Sequence, residues 1–385
     1  MRRFLIDSLR RAAGTRQMMA RVDELHRSSQ SLTRIAAHAD FPLQAWWERS
    51  YWEPTVAHAI LDHVRPGQVA FDVGANAAAF AVMMSRLVGP RGVICAFEAS
   101  PRIVGRTQHN IVQAGCGNVT LYHRAVWHTT GETVTIAEGS HLNDRVEAGG
   151  QGGRVPTVAL DDFVAASGLS PAFIKMDIEG AEFDALRGSR RLLAEGRPVL
   201  VLEQSPEDMR CHALLTEAGY EAVDLSTYRR LVSAADFAPG TTIANVLFLP
   251  KERAEGSPYM DQRQDVVAQI SAARFRRDAQ GGVSLPEPLE LPAGRYVIAA
   301  DFSASGKDNE VFAGIEADGE TIFRYHTFTA LMAESYRDWV IQLDRPARIA
   351  PYLRFLRGAD TALDWRDVEV RHLPAFSGIA APVLF

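Results

Sequence analysis

The chain has 385 residues, of which 47% are hydrophobic and 23% charged, ordinary values for a globular protein long enough for two domains. Its formal net charge of −6 argues against a nucleic-acid substrate, since phosphate binding relies on basic patches. No apolar run reaches about 18 residues, so no transmembrane helix is predicted. The three cysteines, Cys95, Cys116 and Cys211, form no C-x-x-C pair and suit a reducing cytoplasm, which predicts a cytoplasmic protein.

Residues 1–53 are predicted to form an N-terminal helical appendage. Residues 1–40 are helical in pattern and rich in arginine, which indicates an appendage or an arm for homo-oligomerisation. Residues 41–53 concentrate tryptophan and tyrosine side chains, which either pack helices onto a sheet or stack on a ligand. Pro54 then suits the first position of a helix that continues to Val64.

Strands and helices alternate from residue 68 to 250, which predicts a parallel, doubly wound, Rossmann-like sheet in an α/β domain of residues 54–250. Residues 244–249 predict a last strand that closes the sheet in antiparallel manner. The glycine-rich segment 138–153 is long for a connection, and we interpret it as a lid over the active site. The other strands are predicted to start near Val69, Val93, Val119, Phe173, Val199 and Ala222.

The end of the first predicted strand indicates a nucleoside-binding site. The strand carries Asp72 and breaks at Gly74, which lets the backbone approach a ligand. The next strand ends in Glu98, whose carboxylate can accept both hydroxyls of a ribose. A dinucleotide site needs G-x-G-x-x-G, but one glycine stands here where three are needed, and no basic residue lies nearby. Asp72 favours a cation, so the pattern fits S-adenosylmethionine, which has a ribose, an ammonium, a sulfonium and no phosphate.

With these residues the chain resembles the FkbM family of class I S-adenosylmethionine-dependent methyltransferases. The resemblance covers roughly residues 50–250. It departs from the family at Ala78, where a second glycine is usual, and at Gln204, near which the family often has a histidine. The matching segments, in the family's order, are residues 72–76, 96–101, 158–163, 173–182, 199–203 and 245–250.

The resemblance implies that S-adenosylmethionine is the cofactor. It also implies that Ala125 and Val126 lie near adenine, and that Asn76 holds the methionine part or the substrate. The predicted cofactor-binding residues are Asp72, Gly74, Ala75, Asn76, Glu98, Ala99, Ala125, Val126 and Asp177.

The segment Lys175–Glu182 supplies the candidate catalytic groups. By strand parity Lys175 and Asp177 share a face, and Asp177 lies at the carboxyl end of the strand, toward the cofactor cleft. A sugar hydroxyl has a high pKa, so a carboxylate that takes its proton would help methyl transfer. Glu203, after the next strand, and His141, in the predicted lid, are further candidates. Mg²⁺ binding is an alternative that we do not favour, because carboxylates at strand ends often cap helices instead.

After the α/β domain, residues 251–285 are predicted to be a polar linker and residues 286–385 an all-β sandwich. Short alternating strands without intervening helices, and an Asp318–Gly319 hairpin turn, favour a sandwich. In pattern alone it resembles jelly-roll carbohydrate-binding modules. We expect the sandwich and the α/β domain to fold separately.

These observations favour an S-adenosylmethionine-dependent O-methyltransferase that acts on a hydroxyl of a sugar or glycan. The alternatives are a metabolite O- or N-methyltransferase and a non-catalytic glycan-binding protein with a decayed methyltransferase domain, which the Ala78 departure keeps open. An NAD-dependent oxidoreductase is disfavoured by the missing glycines.

Overall fold

The structure is a computed structural model that describes residues 53–137, 145–147, 153–238, 241–279, 281–306, 310–328, 338–355 and 361–378. Apart from Glu53, the predicted N-terminal appendage therefore lies outside the described residues, as does His141 in the predicted lid.

The centre of the fold is an eight-stranded sheet with the strand order β11-β10-β12-β9-β8-β1-β2-β3. Strands β3, β2, β1, β8 and β9 are parallel neighbours, and β12 pairs antiparallel with both β9 and β10. This confirms the predicted Rossmann-like class I methyltransferase sheet. The strand at 244–250 is antiparallel as expected, but it lies between β9 and β10 and not at the edge. The strands are β1 Val69–Val73, β2 Val93–Glu98, β3 Val119–His123, β8 Phe173–Met176, β9 Val199–Gln204, β10 Tyr220–Asp224, β11 Arg229–Leu231 and β12 Ala244–Pro250.

Helices cover both faces of this sheet, because its strands bury side chains on both sides. Along β1, Ala70 packs into one apolar core, whereas Phe71 and Val73 pack into the other. The helices are α1 Pro54–His63, α2 Ala79–Val88, α3 Val104–Gln113, α4 Leu160–Ser167, α5 Glu182–Arg187, α6 Arg210–Glu217 and α7 Lys251–Ala254, with a π-helix at Leu192–Gly196. Among the described residues, none of the helices has the length and apolarity needed to cross a bilayer.

A small second sheet lies between β3 and α4 in the chain, with the order β4-β7-β5-β6. Ile136 and Val155 are buried together there with Ala125, so this sheet has a small core of its own. Its strands are β4 Ala125–Val126, β5 Thr133–Ala137, β6 Arg145–Glu147 and β7 Gly153–Val158.

The C-terminal part is all-β, as predicted, and we refer to residues 265–378 as the β domain. One sheet has the order β13-β22-β17-β20, and the other has the order β14-β15-β21-β18-β19 with β16 also paired to β21. Aromatic side chains that include Trp339 and Trp365 are buried in its core. Its strands are β13 Asp265–Ile270, β14 Arg276–Arg277, β15 Val283–Ser284, β16 Leu289–Leu291, β17 Gly294–Gly306, β18 Glu310–Ala317, β19 Glu320–Phe328, β20 Asp338–Leu343, β21 Ala347–Phe355 and β22 Thr361–Leu373.

The predicted linker, residues 251–285, contains three of these strands. Strand β13 pairs antiparallel with β22, and β15 pairs with β21, so both sheets begin inside the predicted linker. The period-two pattern is weak in β13 because it is an edge strand whose Val266 and Val267 are 53% and 47% exposed. The β domain therefore starts about twenty residues earlier than the hydrophobic pattern indicates.

The two parts of the chain also share a core. Val297, Val340 and Phe376 of the β domain belong to the same apolar cluster as Val56 and Ile60 of α1. The expectation of two separately folding domains therefore does not match the packing, because each part covers apolar side chains of the other.

Candidate active site

A cleft opens at the carboxyl ends of β1, β2 and β8. This is the edge at which open α/β sheets bind ligands. Of the predicted cofactor residues, the structure brings seven to the wall of the cleft. They are Gly74, Asn76, Glu98, Ala99, Ala125, Val126 and Asp177.

Gly74 forms the floor of the cleft, where the ends of β1 and β8 meet. Its φ is +81°, and a Cβ at this position would lie 1.7 Å from the carbonyl oxygen of Asp177. The Asp177 amide donates to the carbonyl of Val73 at 2.9 Å, which holds the two loops together. Only glycine permits both the left-handed backbone and this close approach. Gly74 therefore positions Asp177 as well as leaving space for a ligand.

Glu98 is held rigidly beside this floor. Its Oε2 accepts from the amide of Asn76 at 2.8 Å, and its Oε1 accepts from the amide of Ser100 at 2.7 Å. The carboxylate is only 7% exposed. Since each carboxylate oxygen has more than one lone pair, Glu98 can still accept hydrogen bonds from a ligand in the cleft. This geometry fits the predicted contact with ribose hydroxyls.

Part of the cleft lining is apolar. Ala125 and Val126 lie there with Phe97, Ile103 and Ile136. A flat aromatic base fits such a surface, because its burial removes apolar area from water. The sequence analysis did not predict Ile103 or Ile136. Ile136 comes from the small sheet, whose position over the cleft follows from tertiary packing alone. An apolar slot beside a fixed carboxylate fits the adenosine of S-adenosylmethionine.

Two predicted cofactor residues do not line the cleft. Ala75 is buried with 5% exposure, and Asp72 is fully buried behind the floor. Burial raises the pKa of Asp72 to about 7, although the charge of Lys175 acts in the opposite direction. Asp72 therefore contributes to the site through its neighbours and not through direct contact with a ligand.

A buried ion pair lies next to the cleft. Lys175 Nζ donates to Asp177 Oδ2 at 3.0 Å and to the carbonyl of Gly74 at 3.3 Å. Burial alone would lower the pKa of Lys175, but the carboxylates of Asp177, Asp72 and Glu53 outweigh it and raise that pKa. Lys175 is thus a fixed ammonium that orients Asp177 toward the cleft.

Asp177 is part of a cluster of carboxylates. Oxygen atoms of Glu53, Asp177 and Glu203 lie within 4.8 Å of one another. Glu203 does not line the cleft, and burial together with the charges of Asp177 and Glu53 raises its pKa well above the usual range. The sequence analysis did not place Glu53 here, because the residue is 124 positions before Asp177 in the chain. Three carboxylates could coordinate a divalent cation, but Lys175 already gives Asp177 a cationic partner.

Glu179 is a further acidic residue on the cleft wall. Its backbone is left-handed, with φ +54°, a conformation that is uncommon for residues with a side chain. Burial, followed by the charges of Asp177 and Glu182, raises its pKa to about 7. The cleft thus presents Asp177 and Glu179 side by side, one paired with an ammonium and the other titrating near neutral pH.

The two departures from the family pattern have structural explanations. Ala78 is fully buried in the apolar core, outside the cleft wall, and adopts a left-handed backbone with φ 64°. Its methyl group therefore does not narrow the cleft. Gln204 is 3% exposed; its Nε2 donates to the carbonyls of Ser205 and Asp208, and its Oε1 accepts from the His212 amide. Gln204 thus fixes the loop after β9.

Comparison with known proteins agrees with this geometry. Residues 72–222 match the family model of the methyltransferase FkbM domain. A curated relative, the protein-L-isoaspartate O-methyltransferase of Methanococcoides burtonii, is 27% identical over 89 residues, which are 23% of this chain and 44% of that protein. The chain thus spans less than half the length of this curated relative.

Solved structures similar to this chain include two methyltransferases. The methyltransferase FkbM from Methylobacillus flagellatus KT is 16% identical with a TM-score of 0.32, over 54% of this chain and 57% of that one. The precorrin-6y C5,15-methyltransferase from Geobacter metallireducens GS-15 is 17% identical with a TM-score of 0.32, over 52% of this chain and 95% of that one.

The match to the family model extends from the end of β1 into β10 and thus includes Gly74, Glu98, Asp177 and Glu203. It confirms the resemblance deduced from the motifs. Residues 72–222 of this chain are therefore similar to the methyltransferase FkbM domain, over the segment that builds the cleft.

Proposed function

We propose that the chain is an S-adenosylmethionine-dependent O-methyltransferase that acts on a hydroxyl of a sugar or glycan. The observation that supports it best is the position of Asp177, a carboxylate on the cleft wall that is oriented by the buried Lys175. S-adenosylmethionine would supply an activated methyl group, so the protein has to align the acceptor, exclude water and remove a proton.

The apolar wall of Val126 and Ile136 and the fixed carboxylate of Glu98 would hold the adenosine part. Asp177, which lines the same cleft as Glu98, accepts the proton of the acceptor hydroxyl. Lys175 orients the Asp177 carboxylate through a direct hydrogen bond, and the proton leaves Asp177 to solvent at the open side of the cleft. This arrangement favours an oxygen nucleophile, which must lose a proton, and so supports an O-methyltransferase over an N-methyltransferase.

Support for a sugar acceptor comes from the residues of the cleft and not from the β domain. The two described tryptophans of the β domain, Trp339 and Trp365, are 1% and 6% exposed and form part of its core. They are therefore not available to stack on a sugar ring. The carboxylates of Asp177 and Glu179 can accept hydrogen bonds from neighbouring hydroxyls of one sugar, which supports a polyhydroxylated acceptor.

We also propose a cytoplasmic location and an acceptor that is not a nucleic acid. All three cysteines are free thiols, which is consistent with a cytoplasmic protein. The net charge of −6 supports an acceptor that is not a nucleic acid. Homo-oligomerisation through residues 1–53 stays a prediction.

The direct test is transfer of a radiolabelled methyl group from S-adenosylmethionine into separated glycan and small-metabolite fractions of cell extract. We expect label in the glycan fraction, and at least a 100-fold lower rate for Asp177→Asn, the order expected for a general base. The control is Asp265→Asn, an exposed carboxylate in the β domain. Label confined to small metabolites would refute the glycan acceptor. Absence of calorimetric heat with S-adenosylmethionine would instead support a decayed domain.

A further inference from the structure

Helix α1 contacts both parts of the protein. It packs against β9 and β12 of the large sheet and against β20 of the β domain. Its residues Val56 and Ile60 are fully buried in the shared core. A helix of this length is a rigid rod of about 15 Å, so a displacement at one end moves the other end as well.

The C-terminal end of α1 is fastened to the β domain by an ion pair. Arg295 Nη1 and Nη2 donate to the two carboxylate oxygens of Asp62 at 2.5 Å and 3.0 Å. The two side chains are 1% and 8% exposed. Tyr259 adds a third hydrogen bond, from its hydroxyl to Asp62 Oδ2 at 2.6 Å. A forked, buried pair of this kind fixes orientation as well as distance.

Arg295 is itself held within the β domain. Its Nε donates to Gln342 Oε1 at 2.9 Å on the neighbouring strand β20. Its guanidinium lies 4.3 Å from the centre of the Phe376 ring. We define the clamp as Asp62, Arg295, Gln342 and Tyr259. It joins α1 to the strands of the β domain, because Arg295 on β17 is held by Gln342 on β20.

The N-terminal end of α1 reaches the reactive centre. Glu53 precedes the helix with a left-handed backbone, φ 48°, and its carbonyl accepts the first helical hydrogen bond from Ala57. Its Oε1 accepts from Asn245 Nδ2 at 3.0 Å. Asn245 on β12 is the register partner of Glu203 on β9. The carboxylate of Glu53 is thus fixed beside Glu203 and within 4.8 Å of Asp177.

We propose that α1 links the β domain to the reactive centre and that Glu53, at the N-terminal end of α1, is the positioning residue through which this link acts. Glu53 does not line the cleft, so it acts on Asp177 and Glu203 and not on a ligand. Burial raises the pKa of Glu203 most, and the charges of Asp177 and then Glu53 raise it further, so Glu53 adds to the groups that disfavour ionisation of Glu203. The clamp matters because repulsion between the charges of Glu53 and Asp177 would otherwise move Glu53, which precedes α1, away from the reactive centre.

The charged groups around Glu203 come from four elements. Asp177 and Lys175 lie at the end of β8, Glu179 in the following turn, Glu182 on α5 and Glu53 on α1. Of these, Glu53 directly precedes α1, the helix that contacts β20 of the β domain. A change in the clamp should therefore alter the titration of Glu203 through Glu53.

The test is a carboxyl titration of full-length protein labelled with ¹³C-glutamate, followed by NMR. The Glu203 resonance is assigned by its loss in Glu203→Gln. In Glu53→Gln, we expect the Glu203 midpoint to move to lower pH by about one unit or more, because one neighbouring negative charge is removed. The double variant Asp62→Asn/Arg295→Met removes the clamp pair without leaving a buried charge alone, and its midpoint should shift in the same direction.

Two comparisons distinguish coupling from general destabilisation. The matched control, Glu316→Gln/Arg354→Met, removes an exposed ion pair of the β domain with an N–O distance of 2.9 Å and should leave the Glu203 midpoint unchanged. Adding Glu53→Gln to the clamp variant should give no further shift beyond that of Glu53→Gln alone. Arg295→Lys, which keeps the charge and loses the fork, should shift the midpoint less than the clamp variant and serves if the double variant does not fold.

An unchanged Glu203 midpoint in both folded clamp variants, with a lower melting temperature, would overturn the proposal and make the clamp a purely structural contact. If the midpoint shift of the combined variant equalled the sum of the shifts of Glu53→Gln and the clamp variant, the proposal would also be overturned. The titration needs neither cofactor nor acceptor. Failure of methyl transfer with intact coupling would therefore refute the proposed function and leave this inference standing.

Discussion

Gly74 offers a sharp test of how the cleft floor is built. Replacing it with alanine adds one methyl group whose carbon would lie 1.7 Å from the carbonyl oxygen of Asp177, 2.8 Å from its carbonyl carbon and 3.1 Å from Ile178 Cγ2. Two of these atoms belong to the backbone and cannot rotate away. The loop after β8 would have to move by roughly 1.5 Å or more to restore ordinary contact distances.

The chain contains a matched control for the backbone part of this effect. Gly67 has φ +80°, against +81° for Gly74, and a Cβ there would have no atom within 4 Å. Both alanine variants bear the cost of a left-handed alanine, about 1–2 kcal/mol. Gly74→Ala bears in addition an overpacking cost of about 1–3 kcal/mol or more. The difference between the two variants therefore isolates the contact with Asp177.

The assays are denaturant unfolding and calorimetric titration with S-adenosylmethionine. We expect Gly67→Ala to bind the cofactor like the unmodified protein, and Gly74→Ala to be less stable than Gly67→Ala by at least about 1 kcal/mol and to lose cofactor binding. Equal unfolding free energies for the two variants would refute the reasoning. So would normal cofactor affinity in Gly74→Ala, because the displaced loop carries Asp177 and Glu179.

Four further outcomes are expected. Asp177→Asn should keep its calorimetric cofactor affinity and lose about 10²–10⁴-fold in single-turnover rate, and near-normal turnover would exclude it as the base. Glu98→Ala should weaken cofactor binding by about 1–3 kcal/mol, and unchanged affinity would exclude the ribose contact. Burial raises the pKa of Asp72 from an ordinary 3.8 to about 7 in the folded protein, so folding is favoured by the bound proton at low pH and this contribution to stability is lost as pH rises from 3.8 to about 7. Asp72→Asn should therefore flatten that decline in melting temperature, and an unchanged slope would contradict the raised pKa. A chain that ends at Pro250 should aggregate, because it exposes the α1 face that the β domain covers; a soluble, cooperatively melting product by size exclusion would show that the shared core is dispensable.

Much of the α/β part could be predicted from local sequence signals. Short apolar runs that end in Asp72, Glu98 or Asp177 locate the strands, and the carboxyl ends of parallel strands meet at one edge of a sheet. The cleft residues at these ends follow directly. Gly74 was predicted for the right place, although its main constraint is the backbone of Asp177 and not a ligand.

The parts that escaped prediction depend on distant contacts. Glu53 lies beside Glu203 because Asn245 holds it there, and nothing in the surrounding sequence indicates this. Ile136 reaches the cleft because the small sheet packs close to the large one, with β4 in contact with β2. Asp72 resembles a ligand contact in the motif, but strand parity places it on the same face of β1 as Ala70, under the helices, where it is fully buried.

The strand β17 of the β domain shows why the alternation of polar and apolar residues does not by itself predict which faces of a strand are buried. In β17, Tyr296 and Ile298 face the core of the sandwich, whereas Arg295 and Val297 face outward by period two. A sandwich exposed on its outer face would carry polar residues there, yet Val297 pairs with Val340 on β20 and both are buried against α1. An arginine in such a face is stable only with a buried partner, and the partner is Asp62, 233 positions earlier in the chain. An uninterrupted apolar run in an antiparallel strand therefore indicates a second covered face. By that argument the β domain is an integral part of the fold, because its outer face packs against α1, the helix that Glu53 precedes.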